Sequence, residues 1–248
     1  MTKRLGLVQT RGIGDIIIAL PIADHYIEEG WEVYWPIDSR FLEMFRRIKP
    51  AVHFLGVEVT HSSLDYFLND PVRQLQEKAC DKIVVLYSHL GGVNVVDLRL
   101  AASLTFDEYK YAIAGVPFEK KWELKYDRDI EREEALFQSL NIEGDYVCTH
   151  DRSTEMGAPV EIAPELTRGL QIVPITQLTD SIFDWRLTLE RATKLILVNS
   201  CFANFVEQLN LENEKAVFLY SPTIYTPVFA NNWRFLFPRE VFYASAHS

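Results

Sequence analysis

The 248-residue sequence is poor in cysteine, in long apolar runs and in positive charge. Its three cysteines, Cys80, Cys148 and Cys201, are far apart and form no Cys-x-x-Cys pair. An odd, scattered set builds neither a disulfide framework nor a zinc knuckle and reads as reduced thiols of a cytoplasmic protein. No stretch reaches the roughly 18 apolar residues that a membrane span needs. The first apolar stretch stops at Gln9-Thr10-Arg11, before a signal-peptide core can form. Lysine and arginine number 25 against 35 aspartates and glutamates, a net charge of -10. Phosphate contacts supply most of the affinity of nucleic-acid binders, so this balance argues against a nucleic-acid partner. There is no Gly-x-Ser-x-Gly elbow and no Gly-x-x-x-x-Gly-Lys-Ser/Thr loop, which counts against the hydrolases and P-loop enzymes that use them.

What is present is an ordinary globular composition, 48% hydrophobic and 24% charged, in a chain long enough to bury a core. Strand and helix signals alternate, which predicts parallel sheets covered by helices. Strands are expected at Leu5–Gln9, Glu32–Trp35, His53–Val57 and Ile83–Tyr87. A helix runs from Asp15 to about Glu29, kinked or restarted at Pro21. A short one covers Arg40–Ile48, and another extends from Leu98 to about Ala114, where Gly115-Val116-Pro117 breaks it. A charged stretch follows, and the pattern restarts with a helix at Ile130–Leu140. Strands come next at Tyr146–Thr149, Gln171–Ile175, Leu195–Val198 and Ala216–Tyr220. Helices are expected at Ile182–Ala192 and Ser200–Leu209, the latter with Phe202, Phe205, Val206 and Leu209 on one face. Asp151–Pro164 reads as a loop and Ser221–Ser248 as an aromatic tail packed on the body. The fold class is therefore α/β, two Rossmann-like parallel-sheet halves, with domains 1–125 and 126–248.

Three places carry candidate chemistry. Arg11-Gly12-Ile13-Gly14-Asp15 follows the first strand. Gly12 and Gly14 allow a tight turn and close approach of a ligand, and the next helix presents free N–H groups and the positive end of its dipole. Ile17 stands where a dinucleotide fingerprint has its third glycine, and Asp38 is the nearest acid to the end of the second strand. A nicotinamide oxidoreductase is thus an alternative with half its signature missing. Asp15 is either a helix cap or a general base facing a cleft. Asn199-Ser200, ending a strand and opening a helix, is a second anion seat, or a plain cap. Thr149-His150-Asp151-Arg152 ends another strand. Arg152 suits a phosphate clamp through its planar fork; His150 is of the residue type that titrates near neutral pH, although a lone histidine beside a strand end is more often structural. Asp127-Arg128-Asp129 has the look of a metal-holding acidic motif, but its place before a helix makes capping the simpler reading.

These residues resemble the heptosyltransferase-type glycosyltransferases. Gly12-Ile13-Gly14-Asp15, with Pro21 six residues on, is similar to that family's Gly-(Ile/Leu)-Gly-Asp…Pro turn. Asn199-Ser200-Cys201-Phe202-Ala203-Asn204 sits where the family has Asp-(Ser/Thr)-Gly-Pro-x-His, with Ser200 the matching residue. The resemblance implies the GT-B fold, with the two halves facing across a cleft. The N-terminal half would serve the acceptor and the C-terminal half would bind a nucleotide-sugar donor. It implies Asp15 as catalytic base and Ser200, with the N–H groups after it, at the donor's diphosphate; the residue chemistry adds Gly12, Gly14, Arg152, Asn199 and Cys201 to the donor- and phosphate-binding set. The reaction would invert the sugar carbon and use no metal and no cofactor beyond the nucleotide-sugar co-substrate. The altered second motif also leaves open an inactive GT-B-like binding protein. The acceptor is not specified.

Overall fold

In the computed structural model the described residues are 2–90, 93–94, 97–153, 159–219 and 226–237. The chain divides into two compact units, Met1–Asp127 and Arg128–Ser248. Both are layered α/β structures around a parallel sheet, as the sequence predicts.

The first unit has strands β1 (Arg4–Val8), β2 (Glu32–Asp38), β3 (Val52–Val57) and β4 (Lys82–Val85), ordered β3-β2-β1-β4 and all parallel. A two-residue hairpin, β5 (His89–Leu90) with β6 (Val93–Asn94), follows. Helix α1 (Ile13–Glu28) is apolar almost all round, and Ile16 through Leu20, Ile22 and Ala23 are fully buried. It runs through Pro21 without a break. β2 is longer than expected because it continues past Pro36. There it pairs with β3 alone, since its pairing with β1 ends at Tyr34, and the missing Pro36 N–H interrupts no ladder. Helix α2 (Leu42–Ile48) opens with a 3-10 turn at Ser39–Phe41. Helix α3 (Asp70–Glu77), entered through a π-turn at Asp65–Asn69, was not expected, although Pro71 at its first turn marks a helix start. It packs on β1 so closely that a Cβ on Gly6 would lie 2.7 Å from Leu75.

The single helix expected over 98–114 is two helices. α4 (Leu98–Ser103) ends at Leu104, and α5 (Phe106–Ala114) restarts behind a capping box in which Thr105 and Glu108 each serve the other's backbone N–H. Apolar periodicity carried the expectation across a boundary that Thr-x-x-Glu encodes locally. Lys121, in a 3-10 turn after α5, and Asp107 form a fully buried ion pair at 2.7 Å that ties this turn to the helix.

The second unit opens with α6 (Ile130–Ser139), capped by Asp129. Its sheet contains β7 (Tyr146–His150), β8 (Gln171–Pro174), β9 (Lys194–Val198), β10 (Glu214–Phe218) and β11 (Trp233–Leu236), all parallel, in the order β11-β10-β9-β7-β8. The helix expected at 182–192 is a 3-10 turn, Ile182–Trp185, leading into α7 (Arg186–Arg191). Helix α8 (Cys201–Leu209) ends at Asn210 in the left-handed conformation. Val147, Ile196, Val198 and Phe218 form a core that Val160, Ile162 and Leu166 cover from the following segment.

The tail supplies the edge strand β11, which its aromatic composition did not disclose. Buried Glu207 of α8 holds it, accepting from the Ala230 N–H at 2.8 Å and the Trp233 indole at 2.6 Å. The expected loop at 154–158, the last residue of the strand expected at 216–220, and the tail at 221–225 and 238–248 lie outside the described residues. Among the described residues no helix is long and apolar enough to cross a membrane.

Candidate functional site

Open parallel sheets bind ligands beyond the carboxyl ends of their strands, where the strand order reverses. In the first unit that point lies between β1 and β4, and in the second between β7 and β9. The sequence-predicted residues fall at these two places.

At the first, Gly12 takes φ 87 and ψ 97 and is the N-cap of α1. Asp15 is therefore the third helical residue and not the cap. A Cβ on Gly12 would meet Asp15 Oδ2 at 2.4 Å, so the glycine supplies room for the carboxylate as well as a positive φ. Oδ1 faces the Lys110 ammonium at 3.1 Å, and the Asp15 side chain remains 37% exposed. Tyr87, just past β4, accepts from the N–H groups of Thr10 at 2.7 Å and Arg11 at 3.1 Å, closing the turn from the far side of the switch point. Burial pushes the Tyr87 phenol well above its ordinary range, so it serves as a neutral acceptor. Gly14 is buried in the first turn of α1 and Arg11 is exposed.

At the second, Ser200 occupies the N-cap position of α8, but its hydroxyl caps nothing. Instead it shares a 3.0 Å hydrogen bond with His150 Nδ1, joining the ends of β7 and β9 across the switch point. This leaves the first-turn N–H groups of α8 without a side-chain cap. His150 packs edge-on against Phe202, and burial lowers its pKa, with Asp151 opposing in part. Asn199 is held by its backbone N–H on the Phe218 carbonyl at 3.1 Å. Burial pushes the half-buried Cys201 thiol up to about 11, against the partial help of N–H groups at Cys201 and Phe202, so it is not a nucleophile at neutral pH. Arg152 stands apart. Its side chain is 72% exposed and lies 3.6 Å from Asp151.

Sequence reasoning missed Lys110 and Tyr87, and ranked His150 below Arg152. Asp127-Arg128-Asp129 is occupied structurally: Asp129 accepts from the Arg132 N–H, and Arg128 pairs with Glu133 and Glu190. Asp38 also has no group to spare. It is 1% exposed and takes hydrogen bonds from the Arg40 backbone and guanidinium and from the Tyr66 hydroxyl. Burial opposes its ionisation, but those bonds outweigh it and hold the carboxyl at about 2. A carboxylate so enclosed has no oxygen to offer the adenosine-ribose 2′-hydroxyl of a dinucleotide, and the oxidoreductase alternative loses its acid. A groove lined by Asn210, Asn213, Lys215, Asn231 and Trp233 opens at the amino ends of β10 and β11, the opposite edge from the switch point.

Two parallel-sheet α/β units in one chain is the architecture of GT-B-like glycosyltransferases. Solved structures of that class share it over nearly the whole chain. A glycosyl transferase family 9 structure from Veillonella parvula matches with a TM-score of 0.65 and 12% identity, covering 95% of this chain and 87% of its own. ADP-heptose lps heptosyltransferase II of E. coli matches with a TM-score of 0.60 and 10% identity, covering 98% and 95%. The E. coli heptosyltransferase WaaC, solved with ADP, gives 0.54 and 11%, covering 94% and 93%. At such identities the likeness is one of fold. No protein-family model and no curated protein sequence matches the chain.

Proposed function

We propose that the chain is a glycosyltransferase of the heptosyltransferase type, moving a sugar from a nucleotide-sugar donor to an acceptor hydroxyl. The observation that carries this reading is the Asp15 carboxylate. It is held at a strand carboxyl edge with one oxygen on a buried ammonium and the other against Gly12, on a side chain that stays 37% exposed. In the reaction Asp15 takes the proton of the acceptor hydroxyl as that oxygen attacks the sugar carbon. The bond from that carbon to the nucleoside diphosphate breaks on the opposite face, and the configuration inverts.

The uncapped start of α8, with Ser200 and its His150 partner, is the seat for the departing diphosphate. N–H groups there meet the growing negative charge without rearranging. In this reading Gly12 and Gly14 shape the base's turn, and Asn199 and Cys201 flank the phosphate seat. Arg152, exposed beside Asp151, reaches the phosphates on binding. The first unit serves the acceptor and the second the donor. The reaction in this reading uses no metal, and Asp129 and Arg128 of the acidic motif serve a cap and ion pairs.

A thermal-shift panel of ADP-, UDP-, GDP-, CMP- and dTDP-sugars, with NAD, tests the donor site. Adenine nucleotides head it because WaaC was solved with ADP and with ADP-2-deoxy-2-fluoro heptose. A ligand at 100 times its Kd stabilises the fold by about 2.7 kcal/mol. Asp15→Asn is expected to keep the donor's shift and lose turnover. A shift with NAD alone, or full turnover in Asp15→Asn, refutes the assignment.

A further inference from the structure

We infer that Lys110 is the positioning residue for Asp15, fixing the carboxylate so that Oδ1 is committed and Oδ2 is presented as the proton acceptor. The inference rests on the reading of Asp15 as the base, and names the group on which that base depends.

Lysine is seldom fully buried, because its ammonium must be repaid for lost water by close partners. Lys110 is 3% exposed and meets three oxygens: Gln9 Oε1 at 2.6 Å, Asp15 Oδ1 at 3.1 Å and the Leu86 carbonyl at 3.4 Å. The faces of Phe106 and Tyr87 lie 5.5 and 5.9 Å from its nitrogen. The Gln9 amide is itself fixed, because its Nε2 donates to the Arg11 carbonyl at 2.8 Å, which turns Oε1 toward the ammonium. The cation is thus held from β1, from β4 and from α5 before Asp15 is considered.

The unit's other two buried lysines make the contrast. Lys121 meets Asp107 where both are fully buried, and Lys49 meets an Asp24 that is 14% exposed. Those pairs staple the interior. Of the three, Lys110 ends on the most exposed carboxylate, 37% against 14% and 0%, and so on the one best placed to meet an acceptor. With Oδ1 on the ammonium and Oδ2 over Gly12, Asp15 has one preset rotamer. Proton abstraction needs the base oxygen within hydrogen-bond reach of the hydroxyl, and a misplacement of about 1 Å costs on the order of 100-fold. The proton lost by the acceptor goes to Oδ2.

The test is a double-mutant cycle of Lys110→Met and Asp15→Asn, read in kcat, in donor affinity and in equilibrium denaturation. Lys110→Met alone is expected to lower kcat by about 10- to 100-fold, with donor affinity unchanged. In the Asp15→Asn background it is expected to change the residual kcat less than about 2-fold, because a residue acting through Asp15 has nothing left to position. Denaturation of the four proteins should show the two positions coupled. If Lys110→Met does not fold, Gln9→Leu keeps the ammonium but frees its position, and is expected to lower kcat in the same way. A kcat loss that persists undiminished in the Asp15→Asn background marks Lys110 as merely structural and overturns the inference, leaving the base in place. Wild-type turnover in Asp15→Asn overturns the base reading, and this inference with it.

Discussion

Gly12→Ala separates two demands that the structure places on one residue. The first is conformational. Gly12 has φ 87 and ψ 97, outside the left-handed helical region, so an L residue there loses at least as much as in that region, about 1–2 kcal/mol. The second is steric, because the new methyl carbon would sit 2.4 Å from Asp15 Oδ2, far inside contact distance. Gly115 is the internal control. It has φ 71 at the end of α5, and a Cβ there meets nothing within 4 Å. Gly115→Ala should therefore cost about 1–2 kcal/mol in equilibrium denaturation and leave turnover at the wild-type level. Gly12→Ala should cost more, since the carboxylate must leave its place beside Lys110, and the pair at 3.1 Å is stretched or broken. Turnover should fall on the order of 100-fold, as expected for a base displaced by about 1 Å. Urea denaturation of both variants beside a transfer assay decides it. If Gly12→Ala loses no more stability than Gly115→Ala and retains full activity, the glycine is there for its φ alone.

Two further outcomes follow from buried charge. Lys121→Met removes the ammonium that faces the enclosed Asp107 carboxyl, and should destabilise the chain by about 3–5 kcal/mol in denaturant. Adding Asp107→Asn should recover part of that loss, and a double variant as unstable as the summed singles would contradict the pairing. His150 has its folded pKa below the unfolded value of about 6.5, so the unfolded chain takes up the proton first. Its contribution to stability is present above that pH and is lost as the pH falls through it. A Tm profile from pH 7.5 to 5 should thus fall less steeply in His150→Asn than in the wild type, and parallel profiles would refute the assignment.

The α/β class and the alternation of elements were legible because parallel strands buried on both faces leave continuous apolar runs, as at Leu5–Val8 and Leu195–Val198. The two turns were legible for a local reason: glycines or Asn-Ser between a strand and a helix announce free N–H groups. Lys110 was not legible. It reads as one more polar residue on an amphipathic helix, and its partner Gln9 lies 101 positions away, so only the assembled fold brings them together. Ser200 was legible as the residue between strand and helix, but its contact with His150 was not, because capping is a local rule and that contact spans 50 positions. Arg152 looked suitable by residue type, yet nothing in the sequence reports that its side chain stands in solvent. Asp38 had the right address for a ribose-binding acid, and only Arg40 and Tyr66, seen in place, show that it is taken.

The break between α4 and α5 has a meaning of its own. A helix advances by about 100° per residue, so the residue at which it restarts sets the bearing of every side chain beyond it. The restart is pinned at Thr105 by the capping box, five positions before Lys110, and Asp107 anchors the same turn through Lys121. Thr105 therefore works as an index mark: it times the rotation of α5 so that one lysine of the helix comes round to the edge of the sheet where Asp15 waits.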